Sequence, residues 1–167
     1  MTVAKSLEGA NLVWQRVNEF MYANNGQSLM RATFLRDVKG FLATQKGNPK
    51  LQFVYWTGLT SNVVTTAEVS TGGATLYALY NIKPATNASS TACYFKANDS
   101  ATTAGGASGT NAGICTVGLL LNKDEVGMIF QPGLVLATGI VVECSTTAAG
   151  GTDSSAGDGT NGFAILG

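Results

Sequence analysis

Histidine is absent from this 167-residue chain. Its absence removes the commonest general base and a favoured metal ligand, so triad hydrolysis and His-ligated metal chemistry both need substitutes. None is found: serine and threonine are plentiful, yet none stands beside a residue placed to activate it. Charge is scarce as well. Charged residues make up 12% of the chain, against about 25% in an average soluble domain, which leaves little electrostatic protection against self-association. Cysteine is limited to Cys93, Cys115 and Cys144, widely spaced, without a CxxC pair and set in apolar strand-like segments. They read as small buried hydrophobes of a protein made in a reducing cytosol. Long apolar runs are missing too: no stretch of 18 apolar residues occurs, and no charged N-terminal region leads into an apolar one. The chain is therefore expected to be soluble, made without export, and without a membrane partner.

What is present divides by charge and by period. Residues 1–50 carry seven Lys/Arg against three Asp/Glu, and residues 51–167 carry three against seven. A basic N-terminal segment thus precedes an acidic body, and a chain of this length is enough for one compact domain with an appendage. Over residues 10–23, Val13, Trp14, Val17, Phe20 and Met21 recur at three- and four-residue spacing, predicting a helix with one apolar stripe. Asn24-Asn-Gly26 stops it. Ser28 caps a second helix whose stripe is Met30, Phe34, Leu35, Val38, Phe41 and Leu42, with Arg31, Arg36, Asp37 and Lys39 placed elsewhere. Gly47 and Pro49 end it.

Beyond Pro49 the period changes to two. Leu51-Gln-Phe-Val-Tyr-Trp56 reads as a strand, and residues 59–69, rich in Thr and Val, as one or two more. Ala74-Thr-Leu-Tyr-Ala-Leu-Tyr-Asn-Ile82 and Thr91-Ala-Cys-Tyr-Phe-Lys-Ala97 form the central pair. In the first, strict alternation puts Leu76, Ala78, Tyr80 and Ile82 on one face and Tyr77, Leu79 and Asn81 on the other. Both faces are apolar, so both are covered. Strands follow at 114–121, 127–131, closed by Pro132-Gly133, then 134–138, 140–144 and 163–166, with polar loops at 98–113 and 145–161. The fold class is mainly β: a β-sandwich or jelly roll over 51–167 with an N-terminal helical hairpin in 1–50.

Other motifs point to no chemistry. Gly157-Asp-Gly-Thr-Asn-Gly162 matches the dinucleotide pattern by letter, but no strand leads in and no helix follows. Asp153 and Asp158 lack calcium-loop spacing. Lys123-Asp-Glu125 reads as a solvated turn, and with Glu143 it makes no recognisable carboxylate pair. The basic residues Arg16, Arg31, Arg36, Lys39 and Lys46 lack interleaved stacking aromatics, so an acidic protein surface is the expected partner and nucleic acid is not. No catalytic residue, cofactor or metal is expected.

The order Leu76-Tyr-Ala-Leu-Tyr-Asn81, then Tyr94-Phe-Lys-Ala97, then an apolar strand, then Pro132-Gly-Leu134 with Ala137-Thr-Gly-Ile140, and a terminal Gly162-Phe-Ala-Ile-Leu166 resembles β-sandwich structural proteins of tailed bacteriophages. The resemblance spans about residues 72–167. It implies a non-enzymatic virion subunit made in the host cytoplasm, a capsid decoration or cement protein. A tail or fibre component is the first alternative, and a carbohydrate-binding or glycan-degrading sandwich the second. The expected partners are further copies of the chain, as a homotrimer, and the major capsid protein or other virion proteins. The helical stripes and the second apolar face of strand 74–82 are expected to lie between subunits, where a few large side chains dominate; this makes Trp14, Phe20, Phe34, Tyr77 and Leu79 the interface candidates, with packing in the chain's own core as the equal alternative for each. The helical hairpin is the expected docking segment.

Overall fold

The computed structural model describes residues 2–7, 9–24, 29–48, 51–59, 74–84, 93–99, 112–119, 124–137, 139–145 and 159–167. The strand expected over 59–69 lies outside these beyond Leu59, as do most of the two polar loops, Asp153, and Gly157 and Asp158 of the glycine motif. The elements run β1 (Thr2–Leu7), α1 (Ala10–Asn24), α2 (Leu29–Thr44), β2 (Gln52–Leu59), β3 (Ala74–Ile82), β4 (Cys93–Asp99), β5 (Ala112–Leu119), β6 (Glu125–Leu136), β7 (Ile140–Ser145) and β8 (Thr160–Leu166). A five-stranded sheet has the order β1-β2-β8-β3-β6 and a three-stranded sheet the order β5-β4-β7. All pairings are antiparallel. The mainly-β class with an N-terminal helical hairpin is thus found.

Three layers result, because the five-stranded sheet is apolar on both faces. Val54, Trp56, Leu76, Leu79, Ala164 and Leu166 meet Cys93, Phe95, Ala97, Val142 and Cys144 of the smaller sheet. The opposite face, with Phe53, Ala78, Tyr80, Ile82, Phe163 and Ile165, lies under Val13, Val17, Phe20, Phe34, Val38 and Phe41 of the helices. Strand β8 shows the rule of two: Phe163 and Ile165 point to the helices, Ala164 and Leu166 to the other sheet.

Strand β3 breaks that rule. Its register on β6 and on β8 shifts between Leu76 and Ala78, so Leu76 joins Leu79 in the sandwich while Tyr77 packs on the helix side with Ala78 and Tyr80. The expected assignment of Leu76 and Tyr77 is therefore reversed: an inserted residue exchanges the faces on one side of it. One other expectation is corrected. Residues 127–138 do not form two strands parted by Pro132, because β6 continues through the cis Gln131–Pro132 bond to Leu136. Proline is tolerated there because β6 stands at the edge of the sheet among the described residues and its pairing with β3 skips residues 130–133. A strand that the sequence reading did not include precedes the helices: β1 pairs along β2 from Thr2↔Thr57 to Leu7↔Gln52.

Glycines allow two close approaches. A Cβ on Gly127 would lie 2.6 Å from the Phe34 ring, so glycine lets α2 settle onto β6. A Cβ on Gly162 would collide with Trp56 and the Tyr80 carbonyl.

Candidate functional site

Polar groups gather where α2 crosses β3 and β6. Arg31 lies one turn before Phe34 and two before Val38, so helical spacing carries its guanidinium into the apolar stripe. Only 8% of Arg31 is exposed. Its Nη2 donates to the Tyr80 hydroxyl at 3.1 Å, its Nε is 3.4 Å from Glu125 Oε2, and the Tyr80 hydroxyl donates to the same carboxylate oxygen. Arg31 Nη1 also reaches the Met21 carbonyl at 3.4 Å, in the last turn of α1. Burial above all, and then the bond to Glu125, raises the Tyr80 pKa, with Arg31 opposing. The triad ties both helices to the central sheet. Its phenol holds its proton and its guanidinium is paired with the Glu125 carboxylate, so neither is poised as a nucleophile or base.

A second polar chain ties α1 to the strands. Asn24 Nδ2 donates to the Phe20 carbonyl at 2.8 Å, Asn161 Nδ2 donates to Asn24 Oδ1 at 2.7 Å, and Gly58 N donates to Asn161 Oδ1 at 2.8 Å. On the smaller sheet, Lys96 and Glu143 occupy directly paired positions of β4 and β7, both buried, where opposite charges favour the pairing. Asp99, at the end of β4, accepts from Ala137 N at 2.7 Å and from Gly139 N at 3.2 Å, fixing the β6–β7 corner.

These contacts correct the expectations for Arg31 and Glu125. Arg31 is not on an open basic face, and Glu125, its side chain only 6% exposed, is not in a solvated turn. The helical register of Arg31 was the available signal; nothing local distinguishes Glu125.

The five interface candidates do not form one surface. Phe20 and Phe34 come together over the sheet: Phe20 meets Phe163 edge-on at 5.2 Å, and Phe34 stacks on Tyr80 at 5.4 Å. Both are buried within the chain, as is Leu79, which lies on the opposite face of the sheet. These three are packed in the chain's own core, the alternative held for each of them. Tyr77 is half-buried and stacks on Phe41 at 4.6 Å. Trp14 is half-buried at the seam of the helices, with Lys39 Nζ 6.0 Å above its ring. The apolar stripes face the chain's own sheet. Periodicity identifies an apolar face but not what covers it.

An open groove of about 550 Å³ runs between α2 and β6, lined by Arg36, Asp37, Gly40, Phe41, Thr44, Ile129 and Gln131. Its charges are paired with each other at 3.1 Å, and the Thr44 hydroxyl donates to the Phe41 carbonyl at 2.6 Å. It brings no nucleophile to a base. Among the described residues no three His, Cys, Asp or Glu side chains gather as a metal site, and no helix is long and apolar enough to cross a membrane. Cys93, Cys115 and Cys144 form no disulfide among the described residues. Of the glycine motif, Thr160, Asn161 and Gly162 belong to strand β8, where a phosphate-cradling helix N-terminus would be required.

No protein-family model matches the chain, and no curated protein matches it.

Proposed function

We propose that this chain is a structural subunit of a tailed-bacteriophage virion, a capsid decoration or cement protein that acts by protein–protein assembly without catalysis. The observation that carries the reading is the free edge of the five-stranded sheet. Among the described residues strand β6 pairs only with β3, and from Val126 to Leu136 it has no charged residue. Near its end Leu134 is 36% and Val135 76% exposed. Edge strands that must stay solitary normally carry charge; this one has only the interruption at Pro132. The polar groups described above are spent on internal ties, which fits a rigid body whose work is done at its surface. The partners in this reading are two further copies, as a homotrimer, and the major capsid protein. The chain is made in the host cytoplasm and resides in the virion.

The test is to add the purified chain to heads assembled without it and to sediment them. Saturable co-sedimentation at a fixed ratio to the major capsid protein supports the reading. Failure to bind any head preparation removes the decoration role, and attachment of a few copies to tails alone supports the tail or fibre alternative.

A further inference from the structure

At one end of the sandwich, where β2, β8 and β3 run side by side, two buried polar groups face the same layer. Trp56 Nε1 donates to Asn81 Oδ1 at 2.8 Å. An indole nitrogen only donates, so this bond fixes the amide's orientation and leaves Nδ2 as the group turned away from the indole. Asn81 is 0% exposed, and its Nδ2 has no hydrogen-bond partner among the described residues. Thr160, also 0% exposed, has an Oγ1 in the same condition.

The pairing brings these groups near each other. Asn81 pairs with Gly162 and Ile82 with Asn161, so Thr160 stands diagonally across the ladder from Asn81. Alternation puts the two on one face, with Asn161 turned to the helix side, where it meets Asn24. On the sandwich face, the position next to Thr160 along β8 is Gly162, and in place of a side chain there lie the Trp56 ring and Asn81 Oδ1, which carries the amide across onto β8. Diagonal neighbours in an antiparallel pair lie about 7–8 Å apart, somewhat less between Cβ atoms, within reach of side chains that extend toward each other. One water, with two bonds of about 2.8 Å, bridges groups roughly 5–6 Å apart.

We propose that Asn81 Nδ2 and Thr160 Oγ1 together hold one internal water molecule, which completes the chain Trp56–Asn81–water–Thr160. The donor and acceptor arithmetic closes. Nδ2 donates to the water oxygen, and the water donates to Oγ1 or accepts its proton. Waters of this kind occupy polar sites with two to four partners and resist removal. This water anchors the first residue of β8 to β3 beside the tryptophan. It is a packing ligand, independent of the virion reading.

The experiment uses the full-length labelled chain and bulk water as the probe. Nuclear Overhauser and rotating-frame spectra are expected to show a long-lived water in contact with the Asn81 side-chain amide and the Thr160 side chain. The contact should persist in Thr160→Ser and vanish in Thr160→Val. In thermal melts Thr160→Val is expected to lower the midpoint, because the water loses a partner, while Thr160→Ser keeps the bridge. A wild-type spectrum without a long-lived water at these groups overturns the proposal, as does a bond from another part of the chain to either atom. A higher midpoint for Thr160→Val also overturns it, since removing a truly unbonded hydroxyl stabilises. Because the wild-type spectrum decides by itself, a valine variant that fails to fold does not shelter the proposal.

Discussion

Glu125 and Arg31 sit with side chains 6% and 10% exposed, sharing one tyrosine hydroxyl between them. At such burial the attraction within the pair roughly offsets the cost of removing both charges from water, whereas deleting one partner leaves the other charge stranded. Glu125→Gln is therefore expected to cost about 3–5 kcal/mol, measured by urea unfolding. The double change Arg31→Met with Glu125→Leu should recover most of that loss. A single substitution costing under about 1 kcal/mol would mean that the pair is solvated and weak. A pH effect belongs to the same scale. Burial pushes the Cys115 thiol up from 9.0 to about 11, and burial likewise raises Tyr80. The folded chain thus keeps protons that the unfolded chain releases. Stability is fully present below about pH 9 and drains as pH rises toward 11. Cys115→Val should flatten that alkaline loss, read from unfolding free energies at pH 8, 9 and 10; an unchanged slope would contradict the assigned cause.

At the scale of elements, the helical hairpin is a layer of the fold. Val13, Val17, Phe20, Met21, Phe34, Val38, Phe41 and Leu42 are all buried in one cluster with strands β2, β3 and β8. Their gross contribution is on the order of 10–20 kcal/mol, which exceeds the net stability of about 5–15 kcal/mol typical of a domain. Deleting residues 1–48 is therefore expected to abolish the cooperative thermal transition, followed by circular dichroism. A truncated chain that melts cooperatively would restore the hairpin to the role of a detachable arm. Much of this layer was legible in sequence, since the 3.6-residue stripes located both helices and β3 was read from its first residue to its last. The faces of Leu76 and Tyr77 were not legible, because the shift between Leu76 and Ala78 depends on how β6 and β8 pair with β3. Pro132 concealed the continuity of β6 for a similar reason: its tolerance there comes from an edge position that only the topology defines. Strand β1 carried a faint alternation, Val3, Lys5, Leu7, too short to separate from chance. The candidate anchors were chosen as large side chains on apolar faces, and neither size nor an apolar face tells a core residue from an interface residue; the burial of Phe20, Phe34 and Leu79 shows that these three pack within the chain.

For the whole molecule, the arrangement is helices over a five-stranded sheet over a three-stranded sheet, with polar groups committed to ties between layers. The proposed role in a virion then rests on surface, above all the uncharged edge of β6 with Val135 exposed. If that edge is covered in the particle, the isolated chain should sediment as a trimer at micromolar concentration, and Val135→Lys should shift it toward monomer by placing an uncompensated charge in the contact. A monomer that stays soluble at high concentration would count against a covered edge. The most direct measurement of the central claim is quantitative mass spectrometry of gradient-purified virions beside the lysate of infected cells. The account predicts that the chain copurifies with particles at a fixed whole-number ratio to the major capsid protein. A chain abundant in the lysate and absent from the particles would contradict it.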